Sequence, residues 1–418
     1  MNTLPKIPFL FILLSMLSVF VLSGDVLILF GYNFLAEGGS FLFKIHPSFY
    51  LLFLAYISIF LYKSGSGFLY KILFEKQNLK LLIACLFCFF YQVLILKQPM
   101  APFIVTWLFP VLILCLYKKF HPSQIKFTYQ VVILIISFNA LMGILEYAQG
   151  GTFISKNYFS MESEELLDIS EWGFQRANAL YGHPLIATLI SAIVVAGFYA
   201  KSLVTTLTRN ESICFFLSLL SLPAFGGRTS IAVSLLILTV IASIKFYRVL
   251  KGVHIPQKKM ILIVSLILTM PVILLLMFDL GLFDSVLDRL ADDNGSAETR
   301  LTAFYILFDT SVVELLFGDV YHQLFYRQLL YGTKYGIEIF WLAIILQYGV
   351  FVSIALVYIL VVIHKYIYKH IGHFTLWPSL AFLLALSSGT GLASKSLMLS
   401  QFIIISLFLF NQHVTDKS

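Results

Sequence analysis

Charge is scarce in this chain, and acidic charge most of all. Only 12% of the 418 residues are charged and just 21 are Asp or Glu, while 60% are hydrophobic. A soluble protein of this size could not hide so much apolar surface. Four cysteines are too few for a disulfide scaffold. Cys85-x-x-Cys88 has metal-like spacing but lies mid-helix among Leu and Phe, where sulfur packs as a small apolar group. No Asp-rich metal motif occurs: Asp292-Asp293 reads as a solvated turn, and neither metal nor cofactor is expected. No repeat of 20–50 residues is visible, which removes solenoid architectures.

What the chain does have is repeated apolar runs of membrane-spanning length. They predict an all-α integral membrane protein, a single polytopic domain over 1–418. About twelve spans are expected: 8–30, 46–62, 79–96, 101–117, 127–148, 184–200, 211–225, 229–246, 260–278, 338–363, 374–390 and 395–412. Eighteen of the 28 basic residues fall on one side of these spans, from Lys6 through Lys118, Lys201 and Lys365 to Lys417. Only Glu75, Glu211 and Asp416 oppose them there. The bias makes that side cytoplasmic, with both termini inside. It is a topology signal, and nucleic acid is not an expected partner. Segments 149–183 and 279–337 become long external loops. Fifteen of the 21 acidic residues lie in Glu162–Glu171 and Asp279–Glu338, inside or at the edge of those loops.

The second loop has a pattern of its own. Ser296 to Arg300 reads as a helix start, with Ser296 able to cap and Glu298 near the positive end. Leu301, Phe304, Tyr305, Phe308, Val312, Leu315 and Leu316 follow at helical spacing, interrupted by Asp309 and Glu314, and Gly318 can end the run. The pattern is too polar for a span and too apolar for a free linker. It predicts a helix at the membrane surface, with a re-entrant or buried segment as the alternative.

Arg176, Arg228, Arg289 and Arg300 stand on the external side, where Arg is favoured over the Lys of the inner side. A guanidinium stays ionised and pairs two oxygens of a diphosphate or carboxylate at once. A surface ion pair or interfacial anchor is the plain alternative for Arg289 and Arg300, and a snorkelling side chain for Arg228. Arg176-Ala-Asn178-Ala-Leu180-Tyr-Gly182-His183-Pro184 leads directly into the sixth span. A helix-entry cap explains Gly182 to Pro184 but not Arg176. Inverted-repeat transporters tend to carry interrupted helices in matching halves, and no such pair is visible. Asp25 and Glu146 lie near outer span ends, so a path of charges through the bilayer is not expected either.

Arg176-x-x-x-Leu180 followed by Gly182-His183-Pro184 at a span entrance resembles the O-antigen polymerase and O-antigen ligase family. So do Gly226-Gly-Arg228-Thr229-Ser230 opening a span, and Glu298-Thr-Arg300 ahead of an apolar helix ending at Gly318. Glu338-Ile-Phe-Trp341-Leu342 continuing to Gln347-Tyr-Gly349 is similar to a fourth stretch of that family. The likeness runs from the fifth span to the tenth. Ligases of the family place a His-Asn pair where this chain has Glu338-Ile339, which favours a polymerase.

The resemblance implies glycosyl transfer at the outer face of a bacterial inner membrane, polymerising repeat units into O-antigen, capsular or exopolysaccharide. Donor and acceptor would both be oligosaccharides on polyprenyl diphosphate, with membrane lipids and a chain-length regulator as further partners. Arg176, Arg228 and Arg300 are the expected catalytic cations, since charge develops on the diphosphate leaving group. Glu338 and His183 are the expected bases. Arg289, Asn178, Glu298, His322, Trp172 and Trp341 are the expected substrate contacts, the two tryptophans by stacking on sugar rings. A ligase acting on lipid A core or protein, and a flippase without catalysis, are the alternatives.

Overall fold

The computed structural model describes residues 3–34, 39–154, 176–251, 279, 296–333, 336–389 and 391–411. All regular structure among these residues is helical. Helices occupy eleven of the twelve expected segments, while 260–278 lies outside the described residues. Six helices are long and apolar enough to cross a membrane: α5 (Lys76–Ile95), α6 (Met100–Lys119), α7 (Pro122–Gln149), α8 (Pro184–Lys201), α10 (Arg228–Leu250) and α14 (Phe340–Ile371). The shorter ones are α1 (Lys6–Val21), α2 (Gly24–Leu29), α3 (Pro47–Leu61), α4 (Gly65–Leu73), α9 (Arg209–Phe225), α15 (His373–Leu386) and α16 (Met398–Leu409). Helices α6 and α8 are buried along most of their length and form the centre, whereas α5 and α10 lie at the edge.

Three helices start the same way. His46-Pro47, His121-Pro122 and His183-Pro184 open α3, α7 and α8. In each the imidazole Nδ1 accepts the backbone N–H two residues on, at 3.2–3.3 Å. Proline at the first helical position costs nothing there, because its missing N–H would have been unpaired. The histidine supplies one of the acceptors that helix starts need. His183-Pro184 is thus one use of a device that this chain employs three times.

Two expectations about continuity are corrected. The first span is not one helix over 8–30: α1 ends at Val21 and α2 begins at Gly24. The carbonyls left over at the break have dedicated donors. His46 Nε2 donates to the Leu22 carbonyl at 2.6 Å, and Gln401 Nε2 donates to the Val19 carbonyl at 3.0 Å. Both side chains are almost completely buried. The tenth span is interrupted as well, at Gly349, which has φ 78° and ψ 165°. Interrupted helices are therefore present, although apolar patterning does not reveal them. Lys201, counted among the inner-side basic residues, is fully buried and pairs with the equally buried Glu211 at 2.7 Å.

The run 296–318, expected as one helix, is two, divided at Thr310-Ser311. Helix α11 spans Ser296–Asp309 and α12 spans Val312–Phe317. Ser311 and Glu314 form a reciprocal cap at the start of α12. Gly318 ends it and meets Gly349 backbone to backbone: a methyl on Gly349 would lie 2.4 Å from the Gly318 nitrogen. The chain then forms α13 (Leu324–Leu330). Ala303 and Ile306 of α11 are buried with Ala343 and Leu346 of α14, while Leu301, Tyr305 and Phe308 are exposed on its outer face.

Candidate functional site

The end of α7, the entrance to α8 and the turn between α9 and α10 converge on one region. Glu146, three residues before the end of α7, is buried. Its Oε2 accepts the backbone N–H groups of Asn178 and Ala179 at 2.8 and 2.7 Å, and its Oε1 accepts that of Phe153 at 3.0 Å. One carboxylate therefore fastens both ends of the first long loop. Asn139 Oδ1, one helical stretch down α7, takes the Leu180 N–H at 3.0 Å. The Ala177 N–H bonds the Ala224 carbonyl at 3.3 Å, which joins this segment to the end of α9.

These bonds set Arg176 beside the Gly226-Gly227 turn. A methyl on Gly226 would lie 3.4 Å from Arg176 Cδ and 3.8 Å from its Nε. Gly226 has φ +66°, a conformation that L side chains rarely adopt. Gly227 has no room for a side chain, because a methyl there would lie 2.6 Å from Thr188 Oγ1. That hydroxyl accepts the Gly227 N–H at 3.2 Å and locks the start of α10 against α8. Arg228 begins α10 at this point. Two long helices thus point their N-termini, with their partial positive charge, to the region that carries Arg176 and Arg228. Asn178 is buried, and neither atom of its side-chain amide has a hydrogen-bond partner among the described residues. Such a group is costly unless something pairs it.

His183 stands at the mouth of this region, exposed. Its Nδ1 lone pair is committed to the Leu185 N–H. A neutral imidazole that accepts at Nδ1 carries its proton on Nε2. His46 shows the same tautomer with both nitrogens engaged, since the Leu22 carbonyl can only accept. The Nδ1 lone pair of His183 therefore serves the helix cap, as those of His46 and His121 do. Gly182 (φ +72°) packs on the break in the first span: a methyl there would lie 2.7 Å from Ser23 Cβ and 3.3 Å from Asp25 Oδ2.

A second group lies where α11 meets α14. Arg300 Nε and Glu338 Oε2 are 3.6 Å apart, with both side chains more than a third exposed. Glu298 is exposed in the first turn of α11. Trp341 is half-buried and donates from Nε1 to Ser387 Oγ at 2.7 Å, which ties α14 to the end of α15. His322 sits exposed at φ 55° in the turn before α13. Arg289 and Trp172 lie outside the described residues.

No motif singles out Arg327. It pairs with both oxygens of the buried Glu314 at 3.0 and 2.9 Å and reaches Asp309 at 3.6 Å, which joins α11, α12 and α13. Burial pulls the Glu314 carboxyl up, but Arg327 and Ser311 pull it further down and leave it below the ordinary glutamate value. Against known proteins, the chain matches no family model, no curated protein and no solved structure.

Proposed function

We propose that this protein is a membrane glycosyltransferase that polymerises oligosaccharide repeat units carried on polyprenyl diphosphate. The observation that carries the reading is the fixed position of Arg176 against the turn that presents Arg228, at the N-termini of α8 and α10. A site that must stabilise charge developing on a diphosphate needs cations held before the reaction starts. Guanidinium forks on an immobilised backbone meet that need. The motif resemblance supplies the substrate class, and the missing His-Asn pair at Glu338-Ile339 favours a second lipid-linked repeat unit as acceptor.

In this reading twelve helices cross the bacterial inner membrane, both termini are cytoplasmic, and 149–183 and 279–337 are external. Gly349 to Lys365 measures roughly 24 Å at 1.5 Å per residue. With Lys365 at the inner surface, Gly349 lies near the outer one. Helix α12 then rests at the outer interface, and Arg300 and Glu338 stand above it in water to meet the glycan.

Purified protein in proteoliposomes, supplied with lipid-linked repeat units, is expected to produce a ladder of lengthened glycans. Transbilayer movement of the substrate with no lengthening would replace the reading by a flippase. Transfer to lipid A core alone would replace it by a ligase.

A further inference from the structure

A groove of about 330 Å³ lies between the start of α1 and the start of α7, at the end of the helices that holds most of the basic residues. The chain before α1 is fixed along one edge of it. The Leu4 N–H bonds the Lys119 carbonyl at 2.9 Å, and Gln124 Nε2 donates to the Leu4 carbonyl at 3.0 Å. Lys6 is thereby held at the rim, exposed, and no Asp or Glu among the described residues lines the groove. No side chain caps the start of α1, so N–H groups of its first turn are left over as donors. His121 and Ser123 line the other wall. The neutral His121 ring accepts at Nδ1 from the Ser123 N–H at 3.3 Å, which leaves its proton on Nε2. Further along the helices the groove turns apolar. Phe9 and Phe127 line it edge to face, with ring centroids 6.5 Å apart. From Phe127 an exposed apolar stripe continues along α7 through Leu134, Phe138 and Leu141.

We propose that this groove binds one anionic phospholipid, with the phosphate on Lys6 and the acyl chains on the aromatic wall and the stripe beyond it. Such a site needs the chain to lie in a bilayer but is independent of the polymerase reading. Donors at the helix ends followed by apolar surface along the helix repeat the order of head and tails in a lipid. A soluble anion would use only the polar half. A zwitterionic lipid would bring a cation of its own towards Lys6. The basic bias of this side fits the cytoplasmic leaflet, whose surface is anionic.

Diffuse attraction between all the surface lysines and an acidic membrane is the competing account. Lys126 separates the two, because it is exposed near the start of α7 but does not line the groove. Full-length protein in detergent would be titrated with phosphatidylglycerol or phosphatidylcholine, and bound lipids counted by native mass spectrometry. Wild type is expected to prefer phosphatidylglycerol as its first lipid by about fivefold, the worth of one cation near the surface. Lys6→Ala is expected to remove that preference, and Lys126→Ala to keep it. Phe127→Ala is expected to weaken both lipids alike. Equal affinity of the wild type for the two lipids would overturn the proposal. So would a preference that falls as far in Lys126→Ala as in Lys6→Ala. If Lys6→Ala does not fold, wild type alone decides. Phosphatidylglycerol with a diazirine beside its phosphate is expected to crosslink within 3–9 and 121–127. Crosslinks spread evenly over the basic loops would overturn the site, and loss of the crosslink in millimolar inorganic phosphate would replace the lipid by a soluble anion.

Discussion

The two arginine groups are built in opposite ways. Arg176 and Arg228 sit on backbone that is fixed from below: Glu146 holds three N–H groups, Asn139 a fourth, and Thr188 clamps Gly227. Arg300 and Glu338 meet only through half-exposed side chains at 3.6 Å, on a loop whose rigidity comes from elsewhere. Exposed pairs in water are worth little and adapt easily. Backbone-fixed cations at helix N-termini need no reorganisation when charge appears. On the proposed reading, the difference suits the first group to charge stabilisation and the second to adjustable contact with the glycan.

The largest effect is expected from breaking the first group. Arg176→Lys and Arg228→Lys keep the charge but lose the planar fork. Each should cut elongation by roughly 10²–10³-fold, the range for removing one preorganised donor. Amounts of membrane-inserted protein should stay at wild-type level, and glycan ladder length reads the effect. Wild-type ladders from both variants would end the diphosphate-clamp account.

Next comes the scaffold of the second group. Arg327→Ala leaves Glu314 buried without its partner, a change that costs about 3 kcal/mol when a buried pair loses one member. The seat of α12 on Gly349 should loosen, and spin labels at Val313 and Ile354 should report a broader separation. The wild type should do the same in acid. Because the Glu314 carboxyl is held below its ordinary value, its contribution is complete above about pH 4.5 and fades as pH falls further. Separation unchanged down to pH 3 would show that the glycine contact alone holds the loop.

How much of this is legible in the sequence differs between the groups. Periodicity locates the helices, and the Gly-Gly-Arg and Gly-His-Pro runs mark the first group, because turns and helix entries have local signatures. The break at Leu22–Ser23 is hidden. Its neighbours from Leu17 to Gly24 are all compatible with a span, and its supports, His46 and Gln401, lie far away in sequence. Glu146 looks like a span-end charge, because its role is a set of long-range bonds to backbone, which leave no pattern in side-chain identity. Arg327 escapes notice for the same reason: its partners Glu314 and Asp309 belong to other helices and are not marked by any motif. His183 stands out as a chemical group, yet His46-Pro47 and His121-Pro122 show that the dipeptide serves helix entry.

A smaller effect sharpens the comparison from within the first group. Glu146→Ala releases the N–H groups of Phe153, Asn178 and Ala179. Bonds to a charged acceptor are worth about 1.5–3 kcal/mol, so amide exchange at these three positions should rise roughly 10–100-fold. Glu146→Gln keeps one acceptor oxygen and should fall between. Unchanged exchange would mean that the contact with the α9–α10 turn, not the carboxylate, holds the segment.

The smallest effect should come from the pair that looks most like a salt bridge. Charge reversal of Arg300 and Glu338, singly and together, forms a cycle whose coupling isolates their interaction. Both side chains are more than a third exposed, and 3.6 Å is too long for a hydrogen bond. A stability coupling of about 0.2–1 kcal/mol is expected, shrinking as salt is added. A coupling above about 2 kcal/mol, beyond the range of exposed pairs, would mean that the second group is as rigidly built as the first, and the division of labour between them would have to be redrawn. If the coupling is small while elongation still falls in the single variants, the two side chains act on substrate and not on each other, as an adjustable contact should.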